Sequence, residues 1–73
     1  MLNRFTAVIS CEDDGFVALC PELDIASQGA TVSEARENLA EAVSLFFETA
    51  SPEEQRRRSS NEVYVTHVEV SCA

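Results

Sequence analysis

Along residues 4–11 apolar and polar positions alternate: Phe5, Ala7, Ile9 and Cys11 fall on one side, Thr6, Val8 and Ser10 on the other. A period of two predicts a strand, because successive side chains of an extended chain point to opposite faces. Glu12-Asp13-Asp14-Gly15 interrupts the pattern, and Asp-Gly is a hairpin signal. Residues 16–20 then form the second strand. Whether the turn centres on Asp13-Asp14 or on Asp14-Gly15, the faces match. Phe5, Ala7, Ile9 and Cys11 join Phe16, Ala18 and Cys20 as a core face. Val8, Val17 and Leu19 join Thr6 and Ser10 on a mixed face that nothing obvious in the chain covers.

Pro21 has no N–H to give to a ladder and stops this strand. Residues 23–27 are extended and apolar enough to re-enter the sheet, and Gly29 supplies a turn position open to positive φ. Thr31 and Glu34 stand at the capping-box spacing that opens a helix. The period then changes. Val32, Ala35, Leu39, Ala42, Val43, Phe46, Phe47 and Ala50 form one stripe, with Glu34, Arg36, Glu37, Asn38, Glu41 and Glu48 mainly opposite. That spacing predicts a helix over about 32–49. At roughly 1.5–3 kcal/mol for each fully buried large apolar side chain, the stripe is the largest identifiable contribution to folding. Ser51-Pro52-Glu53-Glu54 ends the helix and starts a short second one, closed by Arg56-Arg57-Arg58. Ser59-Ser60-Asn61 is a loop. Residues 62–70 alternate again, Tyr64, Thr66, Val68 and Val70 against Val63, Val65, His67 and Glu69, which predicts a last strand suited to cover on both faces.

The expected fold class is α+β: a β-β-β-α-β two-layer sandwich, with one antiparallel-rich sheet and one main helix on one face. A single helix cannot cover two faces. The open face carrying Val8, Val17 and Leu19, or an edge strand, is therefore expected to meet another chain.

Seventy-three residues allow a single domain, 1–73. A core of this size rarely supplies more than ~3–5 kcal/mol, so small scaffolds usually need a staple, a metal or a partner. Three cysteines cannot all pair internally, the Met1-Leu2-Asn3-Arg4 start lacks an apolar run of leader length, and no stretch approaches a membrane span. The expectation is a cytoplasmic protein with reduced thiols, no cofactor and no membrane contact, which self-associates or binds a partner. Its net charge of −8 comes from thirteen Asp and Glu against five Arg. Gripping nucleic acid needs clustered cations, so direct nucleic-acid binding is not expected. The acidity suits a basic partner, or serves solubility alone. Arg56, Arg57 and Arg58 favour the end of their helix, and contact with a phosphate or an acidic partner is the other reading of that run.

Catalysis finds little support. A two-metal nuclease needs carboxylates from separate elements to converge on ions ~3.5–4 Å apart. Asp13, Asp14, Asp24 and Glu34 each have a local turn or cap role instead. Zinc held by Cys11, Cys20, His67 and Cys72 is conceivable by ligand type, but the close pairwise spacing of structural zinc is missing, and alternation places Cys11 and Cys20 in the core. Neither hairpin register puts those two cysteines opposite each other for a disulfide. A lone histidine and two glycines give neither a recognisable triad nor a phosphate loop. No enzyme activity is expected.

The residues do combine into a specific pattern. Phe5 to Ile9 is followed by Asp14-Gly15-Phe16-Val17-Ala18, Cys20-Pro21-Glu22-Leu23, Ala26-Ser27-Gln28-Gly29-Ala30-Thr31, Glu34-Ala35, Asn38-Leu39 and Glu41-Ala42. Over about the first fifty residues this resembles the HicB-type antitoxin family of type II toxin–antitoxin systems. The resemblance implies a partial ribonuclease-H-like domain without catalysis. Its job would be to bind and neutralise a HicA-type toxin, a small basic protein with a double-stranded-RNA-binding-like fold that cleaves messenger RNA with a histidine. Family members often add a C-terminal helix-turn-helix or ribbon-helix-helix segment. Here the sequence stops at Ala73, just after the last predicted strand, so no C-terminal DNA-binding domain and no operator binding are expected. The acidic contacts expected to meet toxin Arg and Lys are Glu12, Asp13 and Asp14 in the hairpin turn, and Glu22 and Asp24 before the third strand; each reads otherwise as a solvated turn carboxylate. Gly15, Pro21, Gly29, Thr31 and Glu34 are assigned to structure. The rival reading is a stand-alone oligomeric binding module of the same fold, with no toxin.

Overall fold

The computed structural model describes residues 3–72; Met1, Leu2 and Ala73, which carry the expectations about the two ends of the chain, lie outside the described residues. Val8–Glu12 (β1), Gly15–Cys20 (β2) and Ile25–Gly29 (β3) form a three-stranded antiparallel sheet in the order β1-β2-β3. Glu12 pairs with Gly15, so the hairpin turn is Asp13-Asp14. Asp13 takes the left-handed φ of 52° that a short acidic side chain tolerates better than most. Ile9 opposite Ala18, Cys11 opposite Phe16, and Cys20 opposite Ile25 place the expected set on one face.

Val32–Thr49 (α1) crosses that face, chiefly over β3 and β2 and scarcely over β1. Its start is the expected capping box. Thr31 Oγ1 accepts the Glu34 N–H at 3.0 Å, and Glu34 Oε1 reaches back to accept the Ala30 N–H at 3.0 Å. Pro52–Ser59 (α2) begins on a Ser51 cap with proline in its first turn. Gln55 Nε2 donates to the Phe47 and Ala50 carbonyls at 3.2 and 3.1 Å, satisfying acceptors that the end of α1 would leave unpaired.

Ala18, Cys20, Leu23, Ala35 and Leu39 form the buried centre, ringed by Phe5, Ile9, Phe16, Ile25, Val43, Phe46 and Phe47. Phe5 stacks on Phe47 at 5.7 Å between ring centroids, and Phe46 meets Phe47 edge-on at 5.1 Å. Leu23, fully buried, enters this cluster from the turn before β3.

Several expectations are corrected. The described residues contain three strands, not four: 62–70 belongs to no helix or strand and joins no ladder among the described residues, because alternation alone does not supply a partner edge. Helix α1 lies away from β1, so Cys11 shares the core face yet is exposed, as is Ala7. Val32 opens the helical stripe but lies beyond the sheet and is exposed. Leu23 belongs to the turn, β3 starting two residues later.

The glycine expectation changes most. Neither glycine has a positive φ; Asp13 and Asp24 do, at 52° and 55°. Gly29 is needed for proximity instead. A Cβ there would sit 2.5 Å from the Ala35 nitrogen and 2.8 Å from the Glu34 carbonyl carbon, both backbone atoms that cannot swing aside. Gly29→Ala is therefore expected to destabilise the fold by about 1–3 kcal/mol, against the gain that glycine replacement usually brings through the unfolded chain. Chemical denaturation of the two proteins measures it.

Candidate partner-binding surface

The acidic residues singled out by sequence fall into two groups. Glu12, Asp13 and Asp14 sit at the hairpin end of β2, exposed. Glu22 and Asp24 sit in the turn at the other end, about 17 Å away for a six-residue strand. They do not form one patch.

At the hairpin end, Glu12, Asp13 and Asp14 share an open depression with Glu34 and Asn38 of α1 and with Gln28 and Gly29 of β3. Asn38 Nδ2 donates to the Gln28 carbonyl at 2.8 Å, pinning the helix to this edge of the sheet. Among the described residues no hydrogen bond or ion pair engages the side chains of Glu12, Asp13 or Asp14, whereas Glu34 is held in its cap. Among the described residues four carboxylates line the depression and no cation does, so its potential is negative. Sequence reasoning missed Glu34 and Asn38 as neighbours of the hairpin. Their spacing of four puts them on one flank of α1, but which strand end that flank overhangs is set by the tertiary contact at Gly29.

At the other end Glu22 is engaged within the chain. Its carboxylate accepts the Thr6 N–H at 3.0 and 3.2 Å and the Thr6 hydroxyl at 2.7 Å, and lies 3.6 Å from the Cys20 sulfur. Partial burial pushes its carboxyl upward, but the Thr6 hydroxyl and N–H outweigh this and hold it below the ordinary value of 4.5. The Cys20 thiol is pushed up by burial and by the neighbouring Glu22 charge. Asp24 is exposed. Arg58 also belongs to this end: it donates to the Leu23 carbonyl at 2.7 Å and to Glu54 at 3.1 Å, with its guanidinium 5.5 Å from the Phe46 ring centroid. That contact ties α2 to the turn before β3. Arg56 and Arg57 are exposed, Arg57 paired with Glu54.

The uncovered face of the sheet brings Val8, Val17 and Leu19 together. Val8 stands opposite Leu19, and Leu19 opposite Ala26; Val17 stands between Ser10 and Gln28. Val8 is 45% exposed and Leu19 37%. Cys11, Cys20, His67 and Cys72 do not converge, and among the described residues no three His, Cys, Asp or Glu side chains are grouped to hold an ion. No helix among the described residues is long and apolar enough to cross a membrane. In comparisons with known proteins, no family model, no curated protein and no solved structure matches the chain.

Glu22 gives a pH prediction. Because its carboxyl is held down in the folded state, the stability it adds is complete above 4.5 and is lost as pH falls through the lower folded value. Glu22→Gln is expected to cost about 1 kcal/mol at neutral pH, a figure reduced for the partial exposure of the site. The difference from the unaltered protein should shrink on acidification, which urea titrations at neutral and acid pH can check.

Proposed function

We propose that this chain is a non-enzymatic, cytoplasmic antitoxin of the HicB type, a partial ribonuclease-H-like domain that neutralises a HicA-type toxin by masking its basic RNA-binding face. The observation that carries this reading is the residue combination from Asp14-Gly15-Phe16-Val17-Ala18 through Pro21-Glu22-Leu23 and Ser27-Gln28-Gly29 to the Thr31-capped Glu34-Ala35 helix. Three antiparallel strands followed by a helix agree with it.

The acidic depression at the hairpin end supports the same reading. Glu12, Asp13 and Asp14 are exposed carboxylates without partners among the described residues, and they would compete with RNA phosphates for toxin cations. Glu22 lies at the opposite end of β2 and its carboxylate already serves Thr6, so it is not part of this depression. The rival reading, an oligomeric binding module without a toxin, is favoured by the uncovered Val8 and Leu19. A neighbouring reading frame for a small basic protein separates the two.

Co-expression with that neighbour should restore growth and yield a co-purifying complex; failure of both removes the antitoxin reading. Combining Glu12→Gln, Asp13→Asn and Asp14→Asn keeps side chains that tolerate the turn. It is expected to weaken the complex several-fold and flatten its salt dependence in a binding titration. Unchanged affinity would put the toxin on another surface.

A further inference from the structure

Residues 62–72 follow α2 as an arm outside every helix and strand, with its large side chains in the open: Tyr64 is 82% exposed, Val68 81% and Val70 72%, with Val63 and Val65 exposed beside them. Among the described residues, the backbone hydrogen bonds of the turns and of the sheet do not include this arm. The chain's radius of gyration is 14.4 Å, against about 11 Å for a compact chain of this length, so the arm stands off the body. An alternating run rich in valine that makes no ladder is a strand without a sheet.

The sheet has the matching deficit. Its β1 edge is open, and α1 leaves Ile9 half-buried and Cys11 exposed on the helix side, with Val8 exposed on the other. The β3 edge lies under α1 and has Asn38 bonded to its Gln28 carbonyl. A strand laid along β1 would need apolar side chains on both of its faces. The arm has them, Val63 and Val65 on one and Tyr64, Val68 and Val70 on the other.

We propose that the arm 62–70 of one copy pairs along β1 of a second copy, and the reverse, so that each three-stranded sheet gains a fourth strand in a two-fold dimer. Every copy brings both the strand and the edge that lacks one. Nine residues in a strand span about 30 Å, enough to follow β1 and the residues before it. A strip of that length and about 10 Å width, covered on both sides of two exchanged contacts, approaches the roughly 1,200 Å² of a specific interface. The inference does not rest on the antitoxin reading, because it needs no toxin.

The test is amide hydrogen exchange on the full chain across a dilution series, with sedimentation to follow the mass. A dimer is expected, in which arm amides and β1 amides lose protection together on dilution. The double variant Val65→Pro, Val68→Pro removes at least one ladder donor in either register. It should weaken the dimer about tenfold or more while the helical circular dichroism persists. Arm amides that exchange freely at every concentration would overturn the proposal, as would a protected arm in a monomer or a proline variant as dimeric as the original. Should the variant fail to fold, the dilution series alone decides.

Discussion

The fold depends on the close approach of Gly29 to the first turn of α1, where a Cβ on the glycine would sit 2.5 Å from the Ala35 nitrogen. That approach seats Ala35 and Leu39 against Ala18 and Cys20 and lets Leu23 close the cluster from the turn. It also sets the helix over β3 and β2 rather than over β1. What is covered and what is left open both follow. The hairpin acids come beside Glu34, the β1 edge stays bare, and the Val8–Leu19 face has nothing above it.

The second consequence is energetic. Among the described residues, Leu23 and Leu39 are the large aliphatic side chains that are buried; the phenylalanines are partly covered, and Leu45, Tyr64, Val68 and Val70 lie in the open. A chain of this size has little core to spare, and here part of its apolar content is not used within the chain. Arg58 offsets some of this locally by bonding the Leu23 carbonyl and stacking on Phe46, which holds α2 against the body. The remaining exposed surface is consistent with a fold completed by association.

Much of this was legible from the residues. The hairpin faces, the helix from Val32 to Thr49 and both serine and threonine caps follow from local periodicity and cap chemistry, which depend on near neighbours in the chain. The errors share a cause. Gly29 reads as a turn position open to positive φ, but the left-handed positions are Asp13 and Asp24, and the glycine is required by a helix that no local pattern locates. Glu22 read as a surface contact because its Thr6 partner lies sixteen residues away. The run 62–70 reads as a strand by alternation, yet alternation says nothing of where a partner edge lies. Local chemistry was readable, and placement between elements was not.

We propose that two helices and three strands leave this fold unfinished within one copy, and that a second copy completes it. The most direct measurement is the thermal unfolding midpoint followed over a hundredfold range of protein concentration. If folding is linked to association, the midpoint rises steadily with concentration. A midpoint that stays constant over the whole range would contradict the account, because it would mean that the single chain is already as stable as it becomes.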